Sequence, residues 1–297
     1  MLPYLGQLYK TRVIIRAQCF NQIRKSSGNA ASRFLVQEIK GNNEDRMLHV
    51  TWNSGSLNRY PYVFLRDNCR CPECFHDSSC QRRHNFQVKA KHGANNLAYT
   101  SDTLPLHSDL AYLDYAPGVQ LLQCIEQIPG IGGANQFADG FYVSKLLRDL
   151  DPKKFNLLSS SPLNFFDVGE DTFGDYDMKV AHTTIELDNN GQLSRFFLSN
   201  GARDCLTRKE SPECVVELYE AYLTIGKMMR DPANVIEYKM IPGDMVTVNN
   251  HRVTHGRTGF TVTEGGSRFL VGIYMDWDTM YSRLRVLARK LNLPCPC

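Results

Sequence analysis

Long apolar runs are missing from this chain. None approaches the roughly 20 residues that a helix needs to cross a bilayer, so no membrane span is expected. Net charge is scarce too. The formal charge is +3 over 297 residues, and the basic residues are not gathered into a stripe interleaved with aromatics, which argues against a nucleic-acid partner. No internal repeat, low-complexity tract or secretory leader is recognisable. The ten cysteines are scattered except at two places, so reduced thiols rather than a disulfide framework are expected. One absence is local. No acidic residue precedes Glu38, whereas Lys10, Arg12, Arg16, Arg24, Lys25 and Arg33 do. A basic, serine-bearing, acid-poor segment is the composition of a mitochondrial transit peptide, assigned to residues 1–37. Mitochondrial localisation is the expectation, with a basic tail on a cytoplasmic protein as the alternative.

What is present is a soluble enzyme's composition. A hydrophobic content of 42% can build the core of one large or two modest domains. Leu106-His107-Ser108-Asp109 and His251-Arg252-Val253-Thr254-His255-Gly256-Arg257 together hold the pattern His-x-Asp with a distant His, and Arg268 follows His255 by thirteen residues. Two imidazoles and a carboxylate form the facial triad of non-haem Fe(II), which leaves coordination positions open for a co-substrate and O2. His107 and Asp109 stand two apart, so on an extended strand both side chains leave one face. Ile241-Pro242-Gly243-Asp244 is a turn signal that feeds Met245-Val246-Thr247-Val248. Arg268 opens a second strand-like run, Phe269 to Tyr274. A guanidinium there suits bidentate clamping of a dicarboxylate whose other end chelates the metal.

Further strands are expected at Gly118–Ile125, Ile185–Leu187 and Leu193–Leu198, the last two flanking the hairpin turn Asp188-Asn189-Asn190-Gly191. Helices are expected from Asp139, as N-cap, to Leu147, over Asp151–Ser159, over Pro212–Met229, and, basic and amphipathic, over Asp278–Leu291. Nearer the N-terminus, Leu48–Trp52 and Tyr62–Leu65 read as two strands of a meander. They lead into Cys69-Arg70-Cys71-Pro72-Glu73-Cys74. This Cys-x-Cys-x-x-Cys spacing suits a structural Zn(2+) site, which needs a fourth ligand.

Gly118-Val119-Gln120-Leu121-Leu122-Gln123-Cys124, Asp139-Gly140-Phe141, Asn200-Gly201-Ala202-Arg203-Asp204, Asp276-Trp277-Asp278, Ser282-Arg283-Leu284-Arg285 and the two metal segments resemble the gamma-butyrobetaine hydroxylase/trimethyllysine dioxygenase family of Fe(II)/2-oxoglutarate oxygenases. The resemblance runs from about Gly93 to about Leu291 and is visible again around Tyr62–Cys74. It implies a mainly β chain with peripheral helices: a double-stranded β-helix (jelly-roll) catalytic domain over 93–297, behind a small zinc-binding β module over 46–92. It also implies Fe(2+), 2-oxoglutarate and O2 as reactants, L-ascorbate as helper, and a homodimer. The implied reaction hydroxylates gamma-butyrobetaine to L-carnitine and releases succinate and CO2, with trimethyllysine or another betaine as the alternative substrate.

By the same resemblance His107, Asp109 and His255 hold iron and Arg268 holds 2-oxoglutarate. Cys69, Cys71 and Cys74 hold zinc. Asn96, Tyr99, Asn200 and Tyr274 lie near the quaternary ammonium substrate. The family's aromatic residue after the metal Asp is Leu110 here, and Tyr112, on the same strand face, would fill the gap. The chain departs from the family in a larger way. A long middle portion, comprising the rest of the small module and the first strands and helix of the catalytic domain, is missing before Gly93. With it go the family's zinc-binding His, for which His76, Cys80, His84 or His92 would have to substitute, and several aromatics of the trimethylammonium cage. Each cation–π contact in a desolvated pocket is worth on the order of 1–2 kcal/mol, so losing two or three weakens binding by roughly one to several powers of ten. Poor turnover is therefore expected. A catalytically inactive isoform that pairs with full-length subunits, or an interaction protein built on the cysteine cluster, are the readings from other classes.

Overall fold

In the computed structural model of the chain the described residues are 35–68, 75–76, 81–82, 101–171, 174–204, 211–261 and 268–294. By packing the chain divides into two compact units, Met1–Leu65 and Arg66–Cys297.

The first unit is a three-stranded antiparallel meander of β1 (Val36–Asn42), β2 (Met47–Trp52) and β3 (Leu57–Pro61). The side chains of Asn42 and Asp45 accept the backbone N–H groups of Glu44 and Met47 and shape the first turn. Met47, Leu48 and Val50 are its buried residues. Strand β1 begins at Val36, inside the segment expected as a leader. One expectation is corrected here. Tyr62–Leu65, read as a strand, lies in helix α1 (Tyr62–Asp67), and the partner of β2 is Leu57–Pro61 instead. A four-residue apolar run carries no period, so it does not discriminate helix from strand, and Pro61 closes the ladder ahead of it.

The second unit is mainly β. Its two-residue strands β4 (Phe75–His76) and β5 (Gln81–Arg82) pair with each other. The remaining strands are β6 (Leu104–His107), β7 (Val119–Glu126), β8 (Asn135–Asp139), β9 (Pro162–Asp171), β10 (Gly174–Thr183), β11 (Ile185–Leu187), β12 (Leu193–Phe196), β13 (Val235–Tyr238), β14 (Met245–Asn249), β15 (Val253–Arg257) and β16 (Phe269–Met275). A four-stranded sheet runs in the order β13-β8-β15-β6 and a three-stranded sheet in the order β14-β7-β16. Strands β9/β10 and β11/β12 form two separate antiparallel ribbons. Gly191 closes the second ribbon at φ 73°, as Asn-Gly turns require.

Among the described residues four further α-helices accompany the strands: α2 (Gly140–Leu150), α3 (Pro152–Ser160), α4 (Pro212–Met229) and α5 (Trp277–Lys290). Asp139 caps α2 by accepting the N–H groups of Phe141 and Tyr142 at 2.9 and 3.2 Å, and Asp151 caps α3 through Lys154 N–H. Such caps are worth about 1 kcal/mol each. Helices α2, α3 and α4 pack on one another and bury Leu147, Leu158, Leu218, Ile225 and Met229. Each of these side chains contributes about 1.5–3 kcal/mol on leaving water.

Candidate metal centre

His107 ends β6 and His255 sits in the middle of β15, and the two are direct partners across the antiparallel pair. Paired residues project from the same face, so a separation of 148 positions in sequence closes to ring centroids 4.5 Å apart. Gly256 is the condition for this approach. A Cβ there would stand 2.6 Å from the Leu104 carbonyl oxygen, so any side chain would push β6 and its histidine away.

Asp109 reaches the pair by a different route from the one its spacing suggests. Strand β6 stops at His107, and Asp109, Leu110 and Tyr112 lie in a turn. The expected common strand face is therefore corrected: the carboxylate is delivered by a chain reversal in which Leu110 adopts φ 54°. A branched residue in that left-handed region costs roughly 1–2 kcal/mol, and the surroundings hold it there. Asn250, 1% exposed, accepts Asp109 N–H at 2.9 Å and donates to the carbonyls of Asp109 and Pro117 at 3.0 and 2.9 Å. Ser108 donates its N–H to Leu198 O at 2.7 Å and its hydroxyl to Phe196 O at 3.1 Å.

The result is convergence. The ligand atoms of His107, Asp109 and His255 all lie within 4.8 Å of one another, with Asp109 Oδ1 3.1 Å from His107 Nε2 and Asp109 Oδ2 3.5 Å from His255 Nε2. His107 Nδ1 lies 2.8 Å from Pro105 O. That contact suits a proton on Nδ1 and turns Nε2 toward Asp109 and the centre, the orientation typical of metal-binding histidines. Burial, together with the neighbouring His107, lowers the His255 pKa to about 4, so its imidazole is neutral and able to donate a lone pair. Burial also acts to lower the His107 pKa, but its hydrogen bond to Asp109 and the carboxylate's charge outweigh it and the net shift is upward. Asp109 is held well below the usual carboxylate range. Burial opposes ionisation, and the hydrogen bond from His107, the charges of both histidines and the Tyr274 hydroxyl overcome it. Two imidazoles and one carboxylate, with His255 Nδ1 buried and without a hydrogen-bond partner, fit a divalent first-row metal better than they fit a self-contained polar cluster.

The three-stranded sheet closes the other side. Gln120 of β7 and Tyr274 of β16 are direct partners in the ladder, and both donate to Asp109 Oδ2, the phenol at 2.8 Å. Burial and then the charge of Asp109 raise the Tyr274 pKa, which keeps the hydroxyl a donor. Arg268, immediately before β16, donates to Asn135 Oδ1 at 3.1 Å. Its Nε is buried with no hydrogen-bond partner, and burial lowers its pKa. Beside it stands Arg257, two residues beyond His255, which donates to Asp102 O at 2.8 Å. Burial and the charge of Arg268 bring the Arg257 pKa down to about 10. Both guanidinium groups lie over the Phe260 ring, at 4.9 and 5.8 Å. A buried pair of like charges favours an anionic ligand.

Of the other residues singled out from sequence, Tyr112 is half-buried in the turn after Asp109. Asn200 follows closely on Leu198, the backbone partner of Ser108, and its side chain accepts from Arg203 at 3.1 Å. Cys69, Cys71, Cys74, Asn96 and Tyr99 lie outside the described residues, as do Cys80, His84 and His92. Sequence reasoning missed Asn250, Gln120 and Arg257. The first two act through residues more than ten positions away, and only the run His255-Gly256-Arg257 offered a signal for the third.

Residues 49–274 match the family described as taurine catabolism dioxygenase TauD, TfdA family. The chain is 39% identical over 210 residues to the gamma-butyrobetaine dioxygenase of Homo sapiens, covering 70% of this chain and 53% of that protein. It is 32% identical over 204 residues to the gamma-butyrobetaine dioxygenase of Pseudomonas sp. (strain AK-1), covering 69% and 51%. It is 31% identical over 193 residues to the trimethyllysine dioxygenase of Meyerozyma guilliermondii, covering 65% and 47%. The chain thus spans about half the length of these relatives. With a family match across most of its length and the two histidines and aspartate brought to one point, the chain belongs to the TauD, TfdA dioxygenase family.

Proposed function

We propose that this chain is an Fe(II)- and 2-oxoglutarate-dependent dioxygenase of a small quaternary ammonium substrate, gamma-butyrobetaine, which it hydroxylates to L-carnitine. The observation that carries the reading is the convergence of His107, Asp109 and His255 with their Nε2 and carboxylate atoms facing one another. These three residues would hold the iron, and bound there it supplies O2 activation coupled to decarboxylation of 2-oxoglutarate, yielding succinate and CO2. The chain's own residues do the rest. Arg268, with a buried Nε left for a ligand, pairs with the far carboxylate of 2-oxoglutarate, and Arg257 adds positive charge beside it. Gln120, Tyr274 and Asn250 fix the Asp109 carboxylate and its backbone. Tyr274, Tyr112 and Asn200 are assigned to the substrate by the resemblance, as are Asn96 and Tyr99. No side chain is required as a general acid or base. Trimethyllysine or another betaine is the alternative substrate, since both activities occur among the named relatives.

The same reading extends to a double-stranded β-helix for the second unit, a zinc site on Cys69, Cys71 and Cys74, ascorbate as the reductant that maintains Fe(II), a homodimer, and a mitochondrial location. The deciding experiment supplies the purified chain with Fe(II), 2-oxoglutarate and ascorbate and measures succinate and L-carnitine with and without gamma-butyrobetaine. Substrate-stimulated succinate and detectable carnitine are expected, at a rate below that of a version carrying the longer relatives' middle portion. Succinate formation that no betaine stimulates would overturn the assignment.

A further inference from the structure

Residues 108–118 join β6 to β7 without helix or strand, and Asp109 stands near their start. Among the described residues this segment makes one backbone hydrogen bond within itself, from Leu113 N–H to Leu110 O at 3.0 Å. Side chains hold its carbonyls instead. Asn250 takes those of Asp109 and Pro117, and His251 Nε2 lies 2.7 Å from Ala116 O. Both come from the turn between β14 and β15. The Leu113 carbonyl is met from a different element, by His182 Nε2 at 2.9 Å from the end of β10.

His182 is buried, 5% exposed, and its ring has little freedom. It stacks on Phe197 with centroids 4.2 Å apart and planes 13° from parallel. Its Nδ1 lies 3.0 Å from Glu186 Oε1, and the other oxygen of Glu186 pairs with Arg195 at 2.6 Å. A carbonyl can only accept, which suits a proton on Nε2, and the Glu186 carboxylate suits one on Nδ1. The consequence is a brace on both flanks of Asp109. On one flank His182 holds Leu113, whose N–H holds Leu110, the residue at φ 54°. On the other, Phe197 lies under the ring, and the next residue, Leu198, accepts Ser108 N–H.

We propose that His182 is a positioning residue of the metal centre: its Nε2–H, aimed by Glu186 and Phe197, locks the Leu113 carbonyl and with it the turn that presents Asp109 to His107 and His255. A ring that only satisfied a buried carbonyl would support the fold and leave metal binding untouched. The brace couples the two, and such coupling is reciprocal: what the Leu113 bond contributes to metal binding, the metal returns to that bond. The inference rests on the reading of His107, Asp109 and His255 as a metal centre and adds a residue that holds its carboxylate in place.

The test compares His182→Gln with His182→Asn in the full chain. A glutamine amide reaches as far as the ring's Nε2 and can still donate to Leu113 O, whereas an asparagine amide reaches only as far as Nδ1. Both lose the ring stacked on Phe197, so both are expected to melt below wild type. Only His182→Asn is expected to weaken Mn(II) binding, by about tenfold or more, and to change the electron paramagnetic resonance spectrum of the bound Mn(II). His182→Gln is expected to stay within about threefold of wild type and to keep its spectrum. Equal Mn(II) affinities and spectra in the two variants would overturn the brace. A second measurement uses wild type alone. Solvent exchange of the His182 Nε2–H proton, followed by NMR, is expected to slow about tenfold or more under saturating Zn(II). Exchange that Zn(II) leaves unchanged overturns the proposal while the metal centre stands. Wild-type protein that binds no Mn(II) overturns the metal centre, and the brace with it.

Discussion

Asp67 and Asp109 are two carboxylates of the same unit, with side chains 7% and 14% exposed, and they differ in what faces them. Asp67 accepts two parallel bonds from Arg203 at 2.8 and 2.7 Å and a third from the Tyr219 hydroxyl at 2.6 Å. Arg203 itself is stacked between Tyr219 and Tyr222. Its pKa is raised because the charge of Asp67 outweighs a large burial penalty. Charge is balanced there and every partner belongs to the chain. Asp109 faces two imidazoles, one of them kept neutral by burial, plus an amide and a phenol. Its negative charge is solvated but not cancelled. A cluster that is compensated internally serves the fold, and one that is left uncompensated has room for an ion.

Removing one partner from each cluster should therefore have opposite consequences. Asp67→Asn leaves the buried Arg203 guanidinium without its counter-charge and should cost about 3–5 kcal/mol of stability, read from urea unfolding. Its metal affinity per folded molecule should not change. Asp109→Asn should cost less stability than Asp67→Asn, because the amide oxygen still accepts from Gln120 and Tyr274, while lowering Mn(II) affinity by more than about 100-fold, beyond the 10–100-fold typical of groups that only orient ligands. Equal stability losses in the two variants would remove the distinction between structural and functional carboxylates.

The arginines allow a finer contrast. Arg268→Gln should weaken 2-oxoglutarate binding to the Mn(II)-loaded protein by about 2–3 kcal/mol, since a charge-assisted pair is lost. Metal affinity in that variant should stay within about twofold of wild type. A large drop in metal affinity would mean that Arg268 supports the metal site rather than the co-substrate.

The smallest effect concerns acid stability in a compensated cluster. Burial acts to raise the Glu186 pKa, but the hydrogen bond from His182 and the charge of Arg195 prevail and lower it below the ordinary 4.5. A lowered carboxylate pKa means that the unfolded chain binds more protons. The stabilisation is therefore full above about pH 4.5 and is lost as pH falls through the folded value. Glu186→Gln should consequently be less stable than wild type at neutral pH and converge with it in acid. A stability gap that persists unchanged below pH 4 would assign the loss to packing instead.

Much of the second unit was legible in advance because its elements carry local signals. Helix α4 spans Pro212–Met229 as its pattern and Pro start indicate, Asp139 and Asp151 cap their helices, and Asn190-Gly191 turns the β11–β12 ribbon. Where the signal was short the outcome differed. Tyr62–Leu65 has apolar character but no period, and it became helix. The three converging residues were legible by type and the manner of their meeting was not. Spacing alone suggested that His107 and Asp109 share a strand face, whereas Asp109 arrives through a turn with Leu110 at positive φ.

By itself, then, the sequence determined the donor set, two imidazoles and a carboxylate followed by an arginine, because ligand chemistry depends on residue type and survives any rearrangement of the backbone. Only the tertiary structure decided how these groups meet. The pairing of β6 with β15 sets His107 against His255, the buried Asn250 amide holds the turn that presents Asp109, and Gln120 and Tyr274 orient the carboxylate from a second sheet. The partners in these contacts are from 11 to 165 positions apart in sequence. No local pattern records such separations, since they are created when the strands pair and pack.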